Sequence, residues 1–585
     1  MSGLTGLSAA VRRLRRRRVA RLWAIAVALV ALAVVLVPLA VADIGDIGEG
    51  PAAPAHQAAP GANSAHARTA RARSRRYVRR APIVPQATLT IGPNLSTAPV
   101  PSSFFGISTE YWSLPQFGRD TPAFERVLSL LHVAGDGPLI LRIGGDSADH
   151  SFWSPRGRKM PDWAYALTPA YLARLRALVT RDRVKLIVDL NLLTDTPFTA
   201  AAWAHAAETS LPHGSIAGFE IGNEPDLYER RYWVDMTARS PLSTRPMPLD
   251  LTPATYVGDF ADYARVLGEG SPDIPLIGPA VGHPRLALPF VAALIGAERP
   301  ELGMVTGHLY PYSKCAKDPK SSSYPTVARL LSRHATSAFA TDLSSAVALA
   351  HQAGLKFRLT EFNSVTCGGK IGVSNTFATA LWAPDALFTA MRAGVDGANL
   401  HVRDDTYNAP FTIDRSGLHP RPLLYGLEMF TRTLGPQAQL VRLHLAAARS
   451  LNLSAWAVQI KGRILHVLLI DKGSRSVRVD LRLPTHATGT VQRLLAPSPY
   501  SRSGVTLDGQ QLNYAGEWTG APRTETITPT ARGGYELTVA RRSAALMSVP
   551  LATTPRPHSA SEHHRRVAVT KHAVLAVGLD RPRKR

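Results

Sequence analysis

The chain has 585 residues, of which 45% are hydrophobic and 19% charged, with a formal net charge of +24. Such a length supports a large core and more than one domain, and the composition excludes a wholly disordered or fibrous chain. The charge is concentrated at the ends: residues 1–80 carry a net +11 and residues 556–585 a net +6, which leaves about +7 for the body and removes the case for a nucleic-acid partner.

At the N-terminus, VRRLRRRRVAR (11–21) precedes LWAIAVALVALAVVLVPLAVA (22–42), 21 residues without a charge. The run is long enough to span a bilayer, and the arginines hold its start in the cytoplasm. AVA at 40–42 also fits a small-x-small cleavage site. Residues 1–42 are therefore expected to be either a cleaved signal peptide or a signal anchor with the membrane as partner. In both cases the body is extracytoplasmic, anchored or secreted. Residues 43–87 are rich in Ala, Pro, Gly, Ser and Arg. They cannot bury enough apolar surface to offset their ordering entropy and are expected to be a disordered spacer. The basic tail 553–585 reads the same way.

From residue 100 onward, short β-rich runs alternate with amphipathic helical stretches. The runs are FFGIST (104–109), LILRIGG (139–145), VKLIVDLNL (184–192), AGFEIGN (217–223), IPLIGPA (274–280), GMVTGHLY (303–310), LKFRLTEF (355–362) and VDGANLHV (395–402). Helical patterns such as 168–182 and 254–270 lie between them. Eight β-α units over roughly 300 residues predict an α/β fold of the (β/α)8 type, a TIM barrel, over residues 88–432. A doubly wound open sheet is the alternative, but no Gly-rich phosphate loop follows the first strand. Beyond residue 432 the pattern becomes strands and turns without long helices, which predicts a C-terminal β-sandwich over 433–552. The early stretch 87–100 is available to pair with it.

In such barrels, reactive groups sit at the C-terminal ends of the strands. Glu110 follows the first strand, Arg142 and Asp146 close the second, and Asn223 and Glu224 the fourth. His308 and Tyr310 close the sixth, Glu361 and Asn363 the seventh, and His401 and Arg403 the eighth. Glu224 and Glu361 are the pair of interest, because two carboxylates about 5 Å apart suit retaining glycoside hydrolysis. One attacks the anomeric carbon while the other enters protonated, its pKa lifted by the first one's charge. The bland readings are a helix-start carboxylate for Glu224 and a strand-end ion-pair partner for Glu361. His308 and His401 read equally well as packed barrel histidines. No Cys/His spacing suggests a metal site, and no cofactor is expected.

EIGNEPDLY on the fourth strand and LTEFNSVTCGG on the seventh resemble glycoside hydrolase family 79, which holds β-glucuronidases and heparanase. GISTEYW, LRIGGDSADHSFW and GVSNTFATALWAPDAL add to the resemblance, which covers roughly residues 88–552. It implies Glu224 as acid/base and Glu361 as nucleophile, with a uronic-acid-containing carbohydrate as substrate. It further implies Asn223 at the sugar 2-OH, Tyr310 on the nucleophile and Glu110 at a ring hydroxyl. Tyr407 and the backbone N–H groups of Gly368 and Gly369 would meet the uronate carboxylate. Arg142 is a further candidate for substrate contact, the other reading being that it only neutralises the acids of the mouth. One departure separates glycosidase chemistry from uronate specificity: where the family often has a tyrosine five residues after the nucleophile, this chain has Thr366. Other retaining glycosidases of the same clan, of xylosidase or arabinofuranosidase type, and a non-catalytic glycan-binding protein are the remaining readings.

The two cysteines, Cys315 and Cys367, follow the sixth and seventh strands. Adjacent barrel strands place these loops side by side, so in an exported protein a Cys315–Cys367 disulfide is expected.

Overall fold

The computed structural model describes residues 86–551, apart from residue 182 and residues 240–250. The expected targeting segment 1–42, nearly all of the spacer 43–87 and the tail 553–585 lie outside the described residues. Gln86 and Ala87, assigned to the spacer, already belong to a strand, Gln86–Thr90. Among the described residues no helix is long and apolar enough to cross a membrane, and the expected span 22–42 is not among them.

Eight parallel strands close into a barrel. In chain order they are Phe105–Glu110, Leu139–Gly144, Val184–Leu190, Ile216–Ile221, Leu276–Val281, Leu302–Leu309, Lys356–Phe362 and Gly397–His401. Each expected run is a strand, with no end moved by more than two residues. Helices cover the outer face, so the strands are buried on both sides and read as continuous apolar runs rather than alternating ones. The fifth and eighth, LIGPAV and GANLH, are buried throughout.

Local sequence fixes several helix starts. The helices Pro197–Ser210 and Pro253–Gly270 each begin with a threonine cap, Thr196 or Thr252, then proline, then a second threonine that completes the capping box. Proline suits this place because its missing N–H would have no intrahelical partner there. Loss of such a cap costs about 1 kcal/mol.

The C-terminal region holds a four-stranded and an eight-stranded sheet. The leading strand Gln86–Thr90 sits inside the smaller sheet, antiparallel to His444–Ala447 and parallel to Val477–Arg482. The chain thus starts in the sandwich before it enters the barrel. The segment 535–551 forms two strands, Tyr535–Val539 and Ser543–Pro550, separated by a turn in which Arg542 is left-handed at φ 52.

Strand Ile464–Asp471 explains how sandwich and barrel join. Leu465, Val467 and Leu469 enter the sandwich core, whereas Leu468 and Ile470 join the barrel's core. Period-two alternation therefore serves two cores at once, and the strand reads as an unbroken apolar run. Across the same junction the buried Lys472 ammonium lies 2.6 Å from Asp385 of helix Phe377–Arg392, and Trp456 Nε1 donates to Asp385 at 2.8 Å. The described residues form one compact unit.

Candidate active site

The polar groups at the C-terminal ends of the strands converge on one cavity of about 1010 Å³, whose walls include Glu110, Asp146, Glu224, Tyr310, Glu361, His401 and Arg403. A smaller cavity of about 490 Å³, lined by Phe152, Trp153 and Trp163 among others, holds neither glutamate.

Glu361 ends the seventh strand with both oxygens engaged. Arg142 Nη1 donates to Oε1 at 2.6 Å and the Tyr310 hydroxyl donates to Oε2 at 2.9 Å. His401 Nδ1 lies 3.4 Å from Oε1 and His308 Nδ1 3.9 Å from Oε2. Burial alone would lift this carboxyl, but His401, His308, Arg142 and the Tyr310 bond together hold it down to about 2. It is an anion at every working pH.

Glu224 stands where the fourth strand stops. Its backbone is left-handed, φ 51 and ψ 52, a conformation that costs a non-glycine residue about 1–2 kcal/mol. Its N–H donates to the Ala280 carbonyl at 3.0 Å, and Ala280, at the end of the fifth strand, is left-handed too. Glu224 holds the cap position of the short helical turn that follows, but its side chain makes no cap hydrogen bond. Instead His308 Nδ1 lies 3.0 Å from Oε1. One ligand-type atom from each of Glu224, His308 and Glu361 falls within 4.8 Å of the others, so an oxygen of each carboxylate faces the same small space. The trio could also meet a cation, but the Arg142 guanidinium already occupies the Glu361 carboxylate.

Arg142 requires a correction. It was a candidate for substrate contact, yet its side chain is fully buried beneath the cavity. Besides Glu361 it donates to Glu220 at 2.7 Å, Asp189 at 2.7 Å and Asn223 Oδ1 at 3.0 Å. One guanidinium cannot balance three carboxylates. Burial, only partly offset by Arg142, pushes the Asp189 carboxyl well above the usual range. Asp189 and Glu220 went unnoticed in the sequence. Their signal was a charge inside a buried strand, as in VDL and FEI, which must find a partner.

Asn223 is buried beside Glu224, with Oδ1 taken by Arg142 and Nδ2 3.4 Å from Asp146. Glu110 lines the cavity, accepts the Ser147 N–H at 2.8 Å and has His401 Nε2 at 3.4 Å. Burial raises the Glu110 carboxyl, but His401 and Arg403 outweigh it and hold the group below its ordinary value. His401 therefore bridges Glu110 and Glu361, and His308 stands between Glu224 and Glu361. Neither is a mere packing histidine. Asp146 also faces the cavity, and burial with Glu110, Glu224 and Glu361 nearby drives its carboxyl well up.

The proposed uronate side departs from expectation at two positions. Gly368 lines the cavity, but the Gly369 N–H turns back onto the Thr366 carbonyl at 3.3 Å. Gly369 is needed for the turn itself, with φ +77 and a Cβ position only 2.7 Å from the Asn408 nitrogen. It offers no second N–H to a ligand. Tyr407 stands on the rim with 39% of its surface exposed, while its neighbours Thr406 and Asn408 form the wall. Its backbone N–H donates to the Gly368 carbonyl at 2.8 Å. The Thr366 hydroxyl donates to Ser313 Oγ at 2.8 Å.

Cys315 and Cys367 are disulfide-bonded, 52 residues apart, and both line the cavity. Beside them Tyr312–Ser313 pairs in parallel with Val365–Thr366. The bond thus ties the sixth and seventh loops at the mouth.

Comparison with known proteins agrees with this geometry. Residues 444–546 match the C-terminal beta domain of glycosyl hydrolase family 79. Over 480 residues, 72% of this chain and 85% of the relative, the sequence is 23% identical to a β-glucuronidase of Aspergillus niger. A 4-O-α-L-rhamnosyl-β-D-glucuronidase from Fusarium oxysporum 12S aligns with a TM-score of 0.62 at 19% identity, covering 79% of this chain and 100% of that one. A family 51 α-L-arabinofuranosidase from Thermotoga petrophila RKU-1 aligns at 0.58 and 16% identity, with 79% and 100% covered. The two structural likenesses concern the fold.

Proposed function

We propose that this chain, a glycoside hydrolase resembling family 79, is a retaining β-glucuronidase that removes terminal β-linked glucuronic acid by double displacement. The carrying observation is Glu361, an anion fixed by Arg142 and Tyr310 within 4.8 Å of Glu224. In the first step Glu361 attacks the anomeric carbon as the bond to the leaving oxygen breaks and Glu224 gives that oxygen its proton. A glycosyl ester and a free alcohol result. Glu361 then carries no negative charge, so Glu224, now a carboxylate, can take a proton from water. The water oxygen attacks the anomeric carbon, the ester breaks, and the β configuration is restored.

Asn223 and Glu110 are assigned to ring hydroxyls, with Asp146 as a third group facing the sugar. The uronate carboxylate is assigned to the wall of Gly368 and Asn408, since the Thr366 and Thr406 hydroxyls already donate to Ser313 Oγ and the Arg403 carbonyl. A substrate acid in a cavity that already holds Glu110, Asp146, Glu224 and Glu361 needs donors aimed at it, and each charge-assisted bond is worth about 1.5–3 kcal/mol. Two such bonds favour a glucuronide over the matching glucoside by about 100-fold or more in kcat/KM. Measuring both nitrophenyl glycosides tests this. Equal values, or a preference for a xyloside or arabinofuranoside, would move the substrate to another sugar and leave the two glutamates in place. Export is part of the same proposal, on the strength of the arginine block and apolar run at 11–42. Protease added to intact cells should degrade the barrel, and protection until lysis would refute it.

A further inference from the structure

The substituents of a pyranose ring follow one another in a fixed order, and so do the strands of a closed barrel. Asn223, on the fourth strand, is assigned to the 2-OH, and Asp146, past the second, lies 3.4 Å from it. Continuing the same way round, the next group is Glu110 on the first strand. Past the ring hydroxyls the sugar presents its carboxylate, and past the first strand the barrel presents the eighth, then the seventh with Gly368 beyond its end. The slot between Glu110 and the wall of Gly368 and Asn408 therefore belongs to the residue that leaves the eighth strand. Arg403 stands there, just past Gly397–His401, and lines the cavity.

Arg403 is the opposite of Arg142. The buried Arg142 spends its fork on carboxylate contacts of 2.6 and 2.7 Å. Arg403 has 26% of its side chain exposed and only loose partners: Nη1 lies 3.9 Å from Glu110 and Nη2 3.4 Å from the largely exposed Asp405. Its Nε has no partner among the described residues. A tight charge-assisted bond is about 2.7–2.9 Å long, so this guanidinium has donors to spare. It is nonetheless braced. Its central carbon lies 5.6 Å over the Trp112 ring, which packs at 5.3 Å on buried His150. The other basic groups around the cavity are committed or distant. His401 lies between Glu110 and Glu361, whereas Arg230 and His283 follow the fourth and fifth strands, on the far side of the barrel.

We infer that Arg403 is the cation that reads the uronate carboxylate, its planar fork meeting the acid's oxygens while Gly368 and Asn408 supply neutral donors. The inference rests on the glucuronidase reading and deepens it by naming the residue that discriminates by charge. A guanidinium suits the task because its geometry matches a carboxylate bidentately. A neutral sugar leaves Arg403 with the Glu110 and Asp405 contacts it already has, so it gains nothing from this residue.

The test uses the full-length protein and compares nitrophenyl β-glucuronide with nitrophenyl β-glucuronamide, which has nearly the same shape and the same leaving group without the charge. The wild type should favour the glucuronide by about 100-fold or more in kcat/KM. Arg403→Met should cut that preference by about 10- to 100-fold, chiefly through the KM of the glucuronide. Arg403→Lys should cut it less, because the charge remains and only the fork is lost. A role confined to neutralising Glu110 would lower both substrates by the same factor. A preference unchanged in Arg403→Met would therefore overturn the inference, and so would a deeper cut in Arg403→Lys than in Arg403→Met. A wild type that hydrolyses both compounds alike, or neither, would overturn the glucuronidase reading and this inference with it.

Discussion

The seventh barrel strand carries Arg358 and Glu361, three residues apart, and they serve opposite ends of the same barrel. At the N-terminal end Arg358 is buried and donates to Asn399 Oδ1 at 2.7 Å and to the carbonyls of Ser103 and Phe104 at 3.1 and 3.4 Å. All are neutral acceptors. Burial therefore outweighs distant Asp396 and lowers this guanidinium to about 9. At the C-terminal end Arg142 is equally buried, yet it meets Glu220, Asp189 and Glu361, and their charges lift it well above its ordinary value despite burial. Both arginines fill a barrel end and satisfy backbone or side-chain acceptors. Only one has a partner whose charge must vanish and return during a reaction. A buried charge thus marks function here by the titratable groups it balances, and burial alone does not mark it.

The comparison can be broken first at Glu361. Glu361→Ala should lower kcat/KM by about 10⁴-fold or more, since no ester can form. Glu224→Ala should be gentler on a nitrophenyl glycoside, and azide should restore turnover with a glycosyl azide of retained configuration. An azide product of inverted configuration would reverse the two roles.

Next come the arginines themselves. Arg142→Met should cost about 10²–10³-fold in kcat per folded molecule, as expected for loss of a donor on a reacting carboxylate. It should also destabilise by about 3–5 kcal/mol, because three carboxylates lose their counter-charge. Arg358→Met should cost only about 1–3 kcal/mol and leave kcat per folded molecule within about twofold, since it strands neutral acceptors. Denaturant titration with kinetics normalised to folded protein checks both. An Arg358 variant as catalytically damaged as the Arg142 variant would break the comparison.

Much of this was legible in the sequence because parallel strands, buried on both faces, betray themselves as short apolar runs between helices. Their C-terminal ends then follow from the fold, which brought Glu224, Tyr310 and Glu361 together on paper. Arg142 stayed open between substrate contact and neutralising the acids because its partners Asp189 and Glu220 lie on other strands, and only side-chain positions show that the arginine points beneath the cavity. Gly369 was misread for a related reason. A glycine pair can present two N–H groups or spend one on its own turn, and spacing does not distinguish them. His308 and His401 were undecidable until each was found between two carboxylates.

Two smaller effects sharpen the contrast between mouth and base. Replacing both Cys315 and Cys367 by alanine should destabilise by about 2–4 kcal/mol. The bond ties cavity-lining loops, so KM should rise more than kcat falls. An unchanged KM would make the disulfide a matter of stability alone. The last effect is pH. Burial above all lifts Asp149 and Asp226 to about 6 from an ordinary 3.8. Their contribution is fully present below about pH 3.8 and is lost as the pH rises through about 6. Glu361, held at about 2 instead of 4.5, contributes above about pH 4.5 and loses that as the pH falls. The Tm should therefore be highest near about pH 4–5 and fall by about a few degrees toward pH 7. A Tm that climbs steadily over that range would refute the assignment.

The central claim is that Glu361 forms a covalent bond to the sugar. A 2-deoxy-2-fluoro-β-glucuronyl fluoride slows both steps but leaves departure of fluoride easy, so the glycosyl ester should accumulate. Intact mass should rise by one fluoroglycosyl group, and peptide mapping should place it on Glu361 in the sequence LTEFNS. An adduct on Glu224, or no adduct together with an inverted product from ordinary substrate, would contradict the account.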